Sequence, residues 1–355
     1  MKWNAFKYLL PLVLYVGVWF SFSASGLLVW MPLIYGFIII PVIELFLKAS
    51  NKNFDEAEET IAKEDRLYDY FLYLIFPLQY TVLFFFLQAM QNSSILTADR
   101  IGHIMVMGLM CGIFGINVAH ELGHRTNKAE QFLAKGLLLT SLYMHFFIEH
   151  NKGHHKYVAT PGDPGSARLG EPLYQFWFRS VAGVYAGAWK IANDDMKKKG
   201  FPALHWKNEM LQFQLIQIAF CSIIAWTFGI VVLGYFLLAA VMGFLLLETV
   251  NYIEHYGLSR RATAVGKFER AMPHHSWNSN HVIGRLMLFE LSRHSDHHYL
   301  ASRKYQLLRH HDEAPQLPTG YPGSMLLAAV PPLWFWVMDK RVKAIEISLQ
   351  APQIE

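Results

Sequence analysis

The sequence predicts an all-α membrane protein, a bundle of six transmembrane helices with a cytoplasmic histidine-rich domain built to hold two metal ions. Three observations carry that prediction. The 355 residues are 53% hydrophobic and only 16% charged, which is apolar for a soluble chain of this size. Long stretches contain no charge at all. Nine of the 17 histidines fall in tight groups between or just after those stretches.

The spans follow in order. Forty residues between Lys7 and Lys48 hold one charge, Glu44, and a Ser/Gly break at Ser23 to Gly26 divides them into two crossings, near 8–22 and 27–47. Each half approaches the roughly 20 helical residues that a bilayer requires. Tyr70 to Ala98 is uncharged and supplies a third span (70–90), and Ile101 to Ala119 a fourth (101–119). Met210 to Leu247 is uncharged again, with Gly229 and Gly234 marking a turn between a fifth span (210–229) and a sixth (233–250). Gly136 to Ile148 is apolar but short, so it reads as a buried or interfacial helix. The chain is expected to be one domain, with segments 120–209 and 251–355 forming the metal-binding part. No small-residue cleavage pattern precedes the second hydrophobic run, so the N-terminus is expected to be kept.

Lysine and arginine placement sets the orientation. With an inner N-terminus, thirty of the 31 basic residues lie on inner segments and only Arg100 lies outside, as the positive-inside rule favours. Both termini and every histidine group are then expected to be cytoplasmic. The net charge of +4 reflects topology, and no interleaved basic and aromatic motif points to nucleic acid. Cys111 and Cys221 both sit within predicted spans, which excludes a disulfide framework or a CxxC site. Thr160 to Pro172 (TPGDPGSARLGEP) is the clearest loop.

The histidine groups are His120/His124, His150/His154/His155, His255 and His294/His297/His298. Residues four apart share a helix face, so His120 with His124, and His150 with His154, are each placed to grip one ion. An ion rarely takes more than six donors, so nine imidazoles require two ions. HELGH also matches the HExxH pattern of zinc proteases, with Glu121 as the base, but such a site needs only one further ligand and an open water position. Isolated residues such as His103, His145 and His205 are read as ordinary packed or surface histidines.

Six motifs resemble the integral-membrane alkane 1-monooxygenases. They are HELGHR (His120 to Arg125), EHNKGHH (Glu149 to His155), NYIEHYGL (Asn251 to Leu258), PHHSWNSNH (Pro273 to His281), RHSDHH (Arg293 to His298) and LPTGYPG (Leu317 to Gly323). NYIEHYGL and RHSDHH favour alkane or xylene-type hydroxylases over the fatty-acyl desaturases and hydroxylases that share the three-group histidine pattern. The resemblance implies a non-haem di-iron centre ligated by His120, His124, His150, His154, His155, His255, His294, His297 and His298. It also implies terminal hydroxylation of medium- to long-chain n-alkanes by O2, with electrons from a rubredoxin that a reductase charges from NAD(P)H.

Glu149, Asp163, Glu254 and Asp296 are candidates to accept the second N–H of a ligating imidazole. His274, His275 and His281 match the family pattern outside its ligand set and are read as structural or as neighbours of the ligands. By the resemblance, bulk on the second span near Ile34 to Gly36 limits substrate length. Trp19, Trp30, Phe84 to Phe86 and Trp226 could line a substrate route, against the plainer reading that they face lipid or pack between helices. Lys197, Lys198, Lys199, Arg260, Arg261 and Arg270 form a candidate docking surface for an acidic rubredoxin. No general acid or base is assignable. A metal transporter would carry ionisable groups at the bilayer midplane, where this chain has few.

Overall fold

A computed structural model describes residues 2–264 and 267–350 of the chain. Among the described residues, six helices are long and apolar enough to cross a membrane: Asn4–Ser23, Gly26–Phe46, Leu67–Met90, Thr97–Gly123, Glu209–Phe228 and Ile230–His255. The protein is mostly helical, with a two-stranded antiparallel ribbon pairing Ala262–Ala264 with Lys267–Phe268.

The fourth span is the centre of the bundle, with 72% of its apolar window buried, whereas the fifth is peripheral at 11%. Small residues set that centre. A Cβ on Gly108 would lie 2.5 Å from the Met242 side chain, and one on Gly243 would lie 2.5 Å from Cys111. The fourth and sixth spans therefore approach along a Gly108-to-Gly112 spacing, the small-xxx-small device of membrane helices.

Both central helices run further than the uncharged stretches suggest, so His120 and His255 stand on the helices themselves. The helix continues because backbone groups at a membrane surface are best satisfied within the segment. The Gly136–Ile148 stretch is two helices: Lys128–Leu139 ends at a turn with Leu142 at φ 51°, and a second helix begins at Phe146.

The ends of several spans meet one polar layer. Tyr8 donates to Glu290 (2.8 Å), the Gly284 N–H donates to Glu44 (2.7 Å), Lys304 pairs with Asp69 (2.7 Å), and the Tyr305 N–H donates to Glu121 (3.2 Å). Segment 282–308 is thus stitched to the first four spans on one side. A helix Leu173–Lys198 closes the same side, burying Phe176, Ser180, Val184, Ala188, Ala192 and Met196 at strict four-residue spacing.

Trp19, Phe84, Phe85 and Trp226 are exposed on the bundle, and Phe86 is buried in its core. Without a membrane around them the exposed rings would be costly, so they mark the lipid-facing surface.

Candidate metal centre

Among the described residues, three helical turns are one residue wider than an α-helix, and all three meet the same interior space. They are Tyr35–Ile39, Cys111–Ile116 and His150–His154. Each is closed by an i to i+5 bond: Ile40 N–H to Tyr35, Asn117 N–H to Gly112, and His155 N–H to His150. Wide turns of this kind recur at functional sites because they re-aim the side chains that follow.

Re-aiming decides how the nine histidines divide. Donor atoms of His120, His124, His150, His155 and His297 lie within 4.8 Å of one another, and those of His154, His255, His294 and His298 form a second such group. His150 and His154 therefore do not share a site as α-helical spacing suggests. The wide turn puts His150 and His155, five apart, on one side and sends His154 to the other. His120 and His124, on regular helix, stay together as expected. In the short helix His294–Tyr299, His294 and His298 share one group while His297 turns to the other.

In the five-histidine group, His150 Nε2 lies 3.1 Å from His124 Nε2 and 3.0 Å from His155 Nε2, and His297 Nε2 lies 3.1 Å from His155 Nε2. In the four-histidine group, His294 Nε2 lies 3.2 Å from His255 Nε2. Nitrogens of donors around one ion at about 2.1 Å are about 3 Å apart in neighbouring positions. His120 Nε2, His154 Nε2 and both nitrogens of His298 are buried without a hydrogen-bond partner. Buried polar atoms are nearly always paired, and convergent orphans are what a cation satisfies.

Burial pushes His124 down to about 3, and holds His150, His155, His294, His297 and His298 well below the usual imidazole range. Neighbouring imidazoles add to this, since crowded rings resist a shared positive charge. Neutral imidazole is the form that binds metal. His154 departs from the rest. Burial pulls its pKa down, but the Asp163 carboxylate at 2.9 Å more than reverses that. Asp163 is itself held below the usual carboxylate range, because His154 and a bond from Ser166 (2.5 Å) outweigh its burial.

The remaining sequence candidates are placed as follows. The Glu254 carboxylate takes a bond from Tyr321 Oη (2.7 Å) and lies 3.2 Å from His294 Nε2. Glu149 packs against Gly187, and burial followed by the nearby Asp163 raises it to about 8. Asp296 sits between ligand candidates in sequence but is held by Arg303, His311 and the Arg309 N–H, none of them among the nine. His275 pairs with Glu269 (3.2 Å) beside His274, and His281 with Ser279 (3.0 Å), in contacts separate from both groups. Glu121, the base in the protease reading, is tied to Arg125 at 2.6 Å and to the Tyr305 N–H.

An apolar cavity ends on the centre. Leu14, Phe37, Ile40, Leu109, Ile113 and Leu246 line it with Gly36, and His120, His150 and His294 share the lining with Asn251, Glu254 and Tyr321. Ile34 is not among its lining residues. Of the candidate docking residues, Lys197 and Lys198 end the Leu173–Lys198 helix, where Lys198 pairs with Asp195 (4.0 Å), and Lys199 follows. Arg260 donates to the Lys156 carbonyl (2.8 Å), the Arg261 backbone N–H donates to the Glu269 carboxylate (2.8 Å), and Arg270 donates to the Tyr299 carbonyl (3.1 Å). Tyr321, Ser166 and Ser276, the last 3.5 Å from His255 Nδ1, escaped sequence reasoning. LPTGYPG, which contains Tyr321, and PHHSWNSNH, which contains Ser276, carried a signal, and Ser166 had none beyond its place in the Thr160 to Pro172 loop.

Two histidine groups at the mouth of an apolar helical bundle define a membrane-embedded, histidine-clustered metalloenzyme, and a family model described as fatty acid desaturase matches residues 100–325. Within that class the resemblance to particular relatives is closer. The chain is 41% identical to alkane 1-monooxygenase 2 of Pseudomonas aeruginosa, over 89% of this chain and 84% of that one. It is 42% identical to the alkane 1-monooxygenase of Acinetobacter baylyi, over 86% and 74%. Similarity to the hydroxylase component of xylene/toluene monooxygenase from Pseudomonas putida is lower, 28% over 67% and 63%. The chain belongs to the alkane 1-monooxygenase family.

Proposed function

We propose that this integral membrane protein hydroxylates the terminal methyl of medium- to long-chain n-alkanes at two non-haem irons held by its nine clustered histidines. His120, His124, His150, His155 and His297 hold one ion; His154, His255, His294 and His298 hold the other. The metal pair, when bound and reduced, supplies the activation of O2 that an unreactive C–H bond demands. One observation carries the reading: the wall of the largely apolar cavity includes His120, His150 and His294, donors drawn from both groups.

An alkane offers no polar handle, so its binding rests on burial of CH2 groups at about 0.8 kcal/mol each. The lining side chains supply that and keep water from the inner end. Orientation follows from shape, since a straight chain can enter end-on and present its methyl to the imidazoles. The cavity lining contains no Lys or Arg. A fatty-acyl substrate would need a partner for its carboxylate or headgroup, so this observation favours the hydrocarbon.

Asp163 accepts the Nδ1–H of His154 and fixes the tautomer that leaves Nε2 free for metal. Electrons reach the centre from rubredoxin, itself charged by its reductase from NAD(P)H. Lys197 to Lys199, Arg260, Arg261 and Arg270 contribute to an inner face basic enough to attract an acidic donor. The centre and both termini face the cytoplasm of a bacterial inner membrane, in one domain.

The test is reconstitution. Protein in nanodiscs, loaded anaerobically with iron and supplied with rubredoxin, reductase, NADH and O2, should convert octane to hexadecane into 1-alkanols detected by gas chromatography. Iron-replete protein that desaturates acyl chains and leaves alkanes untouched would exclude the reading.

A further inference from the structure

Two donor groups of unequal size stand side by side in one bundle, five imidazoles against four. The smaller one has a carboxylate at its edge. Glu254 lies at the inner end of the sixth span, directly before His255, and is 1% exposed. Its Oε2 is 3.2 Å from His294 Nε2, and its Oε1 accepts the Tyr321 hydroxyl at 2.7 Å.

The position of that oxygen distinguishes a ligand from a group that merely orients one. His294 Nε2 also lies 3.2 Å from His255 Nε2, and convergence with a second imidazole marks it as the nitrogen that faces the ion. A carboxylate whose role was to orient the ring would sit at the opposite nitrogen, as Asp163 sits on His154 Nδ1 while its Nε2 is free. His294 Nδ1 has no partner. Glu254 is on the metal side, at the spacing of about 3 Å expected between neighbouring donors of one ion.

Charge points the same way. Among the described residues, the one ion-pair contact of Glu254 is His294, and a buried carboxylate without a cation is costly. An ion held by the four histidines would supply that cation. Tyr321 holds the far oxygen and so limits rotation of the carboxylate, and the backbone is pinned by the Trp277 N–H bond to the Glu254 carbonyl (2.8 Å).

We propose that Glu254 is the fifth donor of the four-histidine site, through Oε2, with Tyr321 as its positioning residue. The two irons are then electronically unlike, one in neutral imidazoles alone and the other with an anionic oxygen. This rests on the two-metal reading above and is tested separately from it.

The measurement is iron stoichiometry together with 57Fe Mössbauer spectroscopy on the full-length protein in nanodiscs, for the unsubstituted chain, Glu254→Gln, Glu254→Asp and Tyr321→Phe. The unsubstituted protein should bind two irons and show two distinct quadrupole doublets. In Glu254→Gln one doublet should shift and its iron should dissociate roughly ten- to hundred-fold more readily, while the other doublet stays put and reports an intact fold. Glu254→Asp should restore retention in part, and Tyr321→Phe should perturb the same doublet by a smaller amount. Both doublets and both dissociation constants unchanged in Glu254→Gln would overturn the proposal. Should Glu254→Gln fail to fold, Tyr321→Phe decides, and an unaltered spectrum there overturns it equally. A single iron in the unsubstituted protein would sink the two-metal reading instead.

Discussion

The five-histidine and four-histidine groups are built from the same side chain, yet they face different surroundings. His124 and His155 are half-buried, and His124 borders a polar cleft with Arg66, Asp69, Arg125 and Lys304. All four members of the other group are buried, with Asp163 on the outer nitrogen of His154, Ser276 on that of His255, and the Glu254 carboxylate on the inner side of His294, at Nε2. The half that reaches the surface has bare rings. The enclosed half is the one with carboxylates beside its rings, Asp163 at His154 and Glu254 at His294, and such contacts are most effective where water is absent. The difference suits a division of labour in which an external electron donor meets the exposed half, while the enclosed half is set by its own carboxylates.

Removing one imidazole from each half is the strongest way to break that comparison. His154→Ala and His124→Ala should both abolish turnover and lower bound iron from two per chain toward one, with membrane insertion unchanged. Metal analysis of detergent-purified protein checks this, and Mössbauer spectra should show a different doublet vanishing in each variant. Full activity in His154→Ala would refute the ligand assignment. Next in size is Asp163→Asn, which keeps the shape but removes the charge that orients His154. A roughly ten- to hundred-fold loss of activity or iron affinity is expected from a change of this kind, confined to the enclosed half. A matching change at the exposed half would show the halves to be less separate than their contacts imply.

Exposure itself makes a weaker prediction. A soluble ferrous chelator added to reduced protein should extract iron in two phases, with the ion nearest His124 and His155 leaving first. Stopping the reaction after the fast phase and recording the spectrum identifies which doublet was lost. Equal rates would mean that surface access does not distinguish the halves.

Much of this was legible in the sequence, and what was not has physical causes. Uncharged stretches mark spans because a charge in the hydrocarbon core is costly, and the structure carries six such helices. His120 and His124 could be grouped by counting because the helix under them is regular. His150 and His154 could not, since the helix between them carries a wider turn, which spacing alone does not announce. Tyr321 and Glu254 are 67 residues apart in the chain, so their bond is a product of the fold. The four-residue stripe of the Leu173–Lys198 helix is regular, but Ser180, Ala188 and Ala192 weaken it as a hydrophobic signal. Asp296 shows the converse: its place among ligand candidates suggests a role toward their rings, whereas its oxygens are taken by Arg303 and His311.

The smallest expected effect tests the one element that serves both halves, the cavity leading to them. Gly36 lies in the wide turn Tyr35–Ile39 and lines that cavity, and a Cβ placed there meets nothing within 4 Å. Gly36→Trp can therefore be accommodated by the backbone while its ring shortens the space available to a chain. Each CH2 refused should cost about 0.8 kcal/mol, or about fourfold in relative kcat/KM. Competition between octane and hexadecane in one reaction, read by chromatography, should move toward octane without altering iron content or either doublet. A variant that lost activity equally on both lengths would place Gly36 in the packing of the second span, not in the wall that measures the substrate.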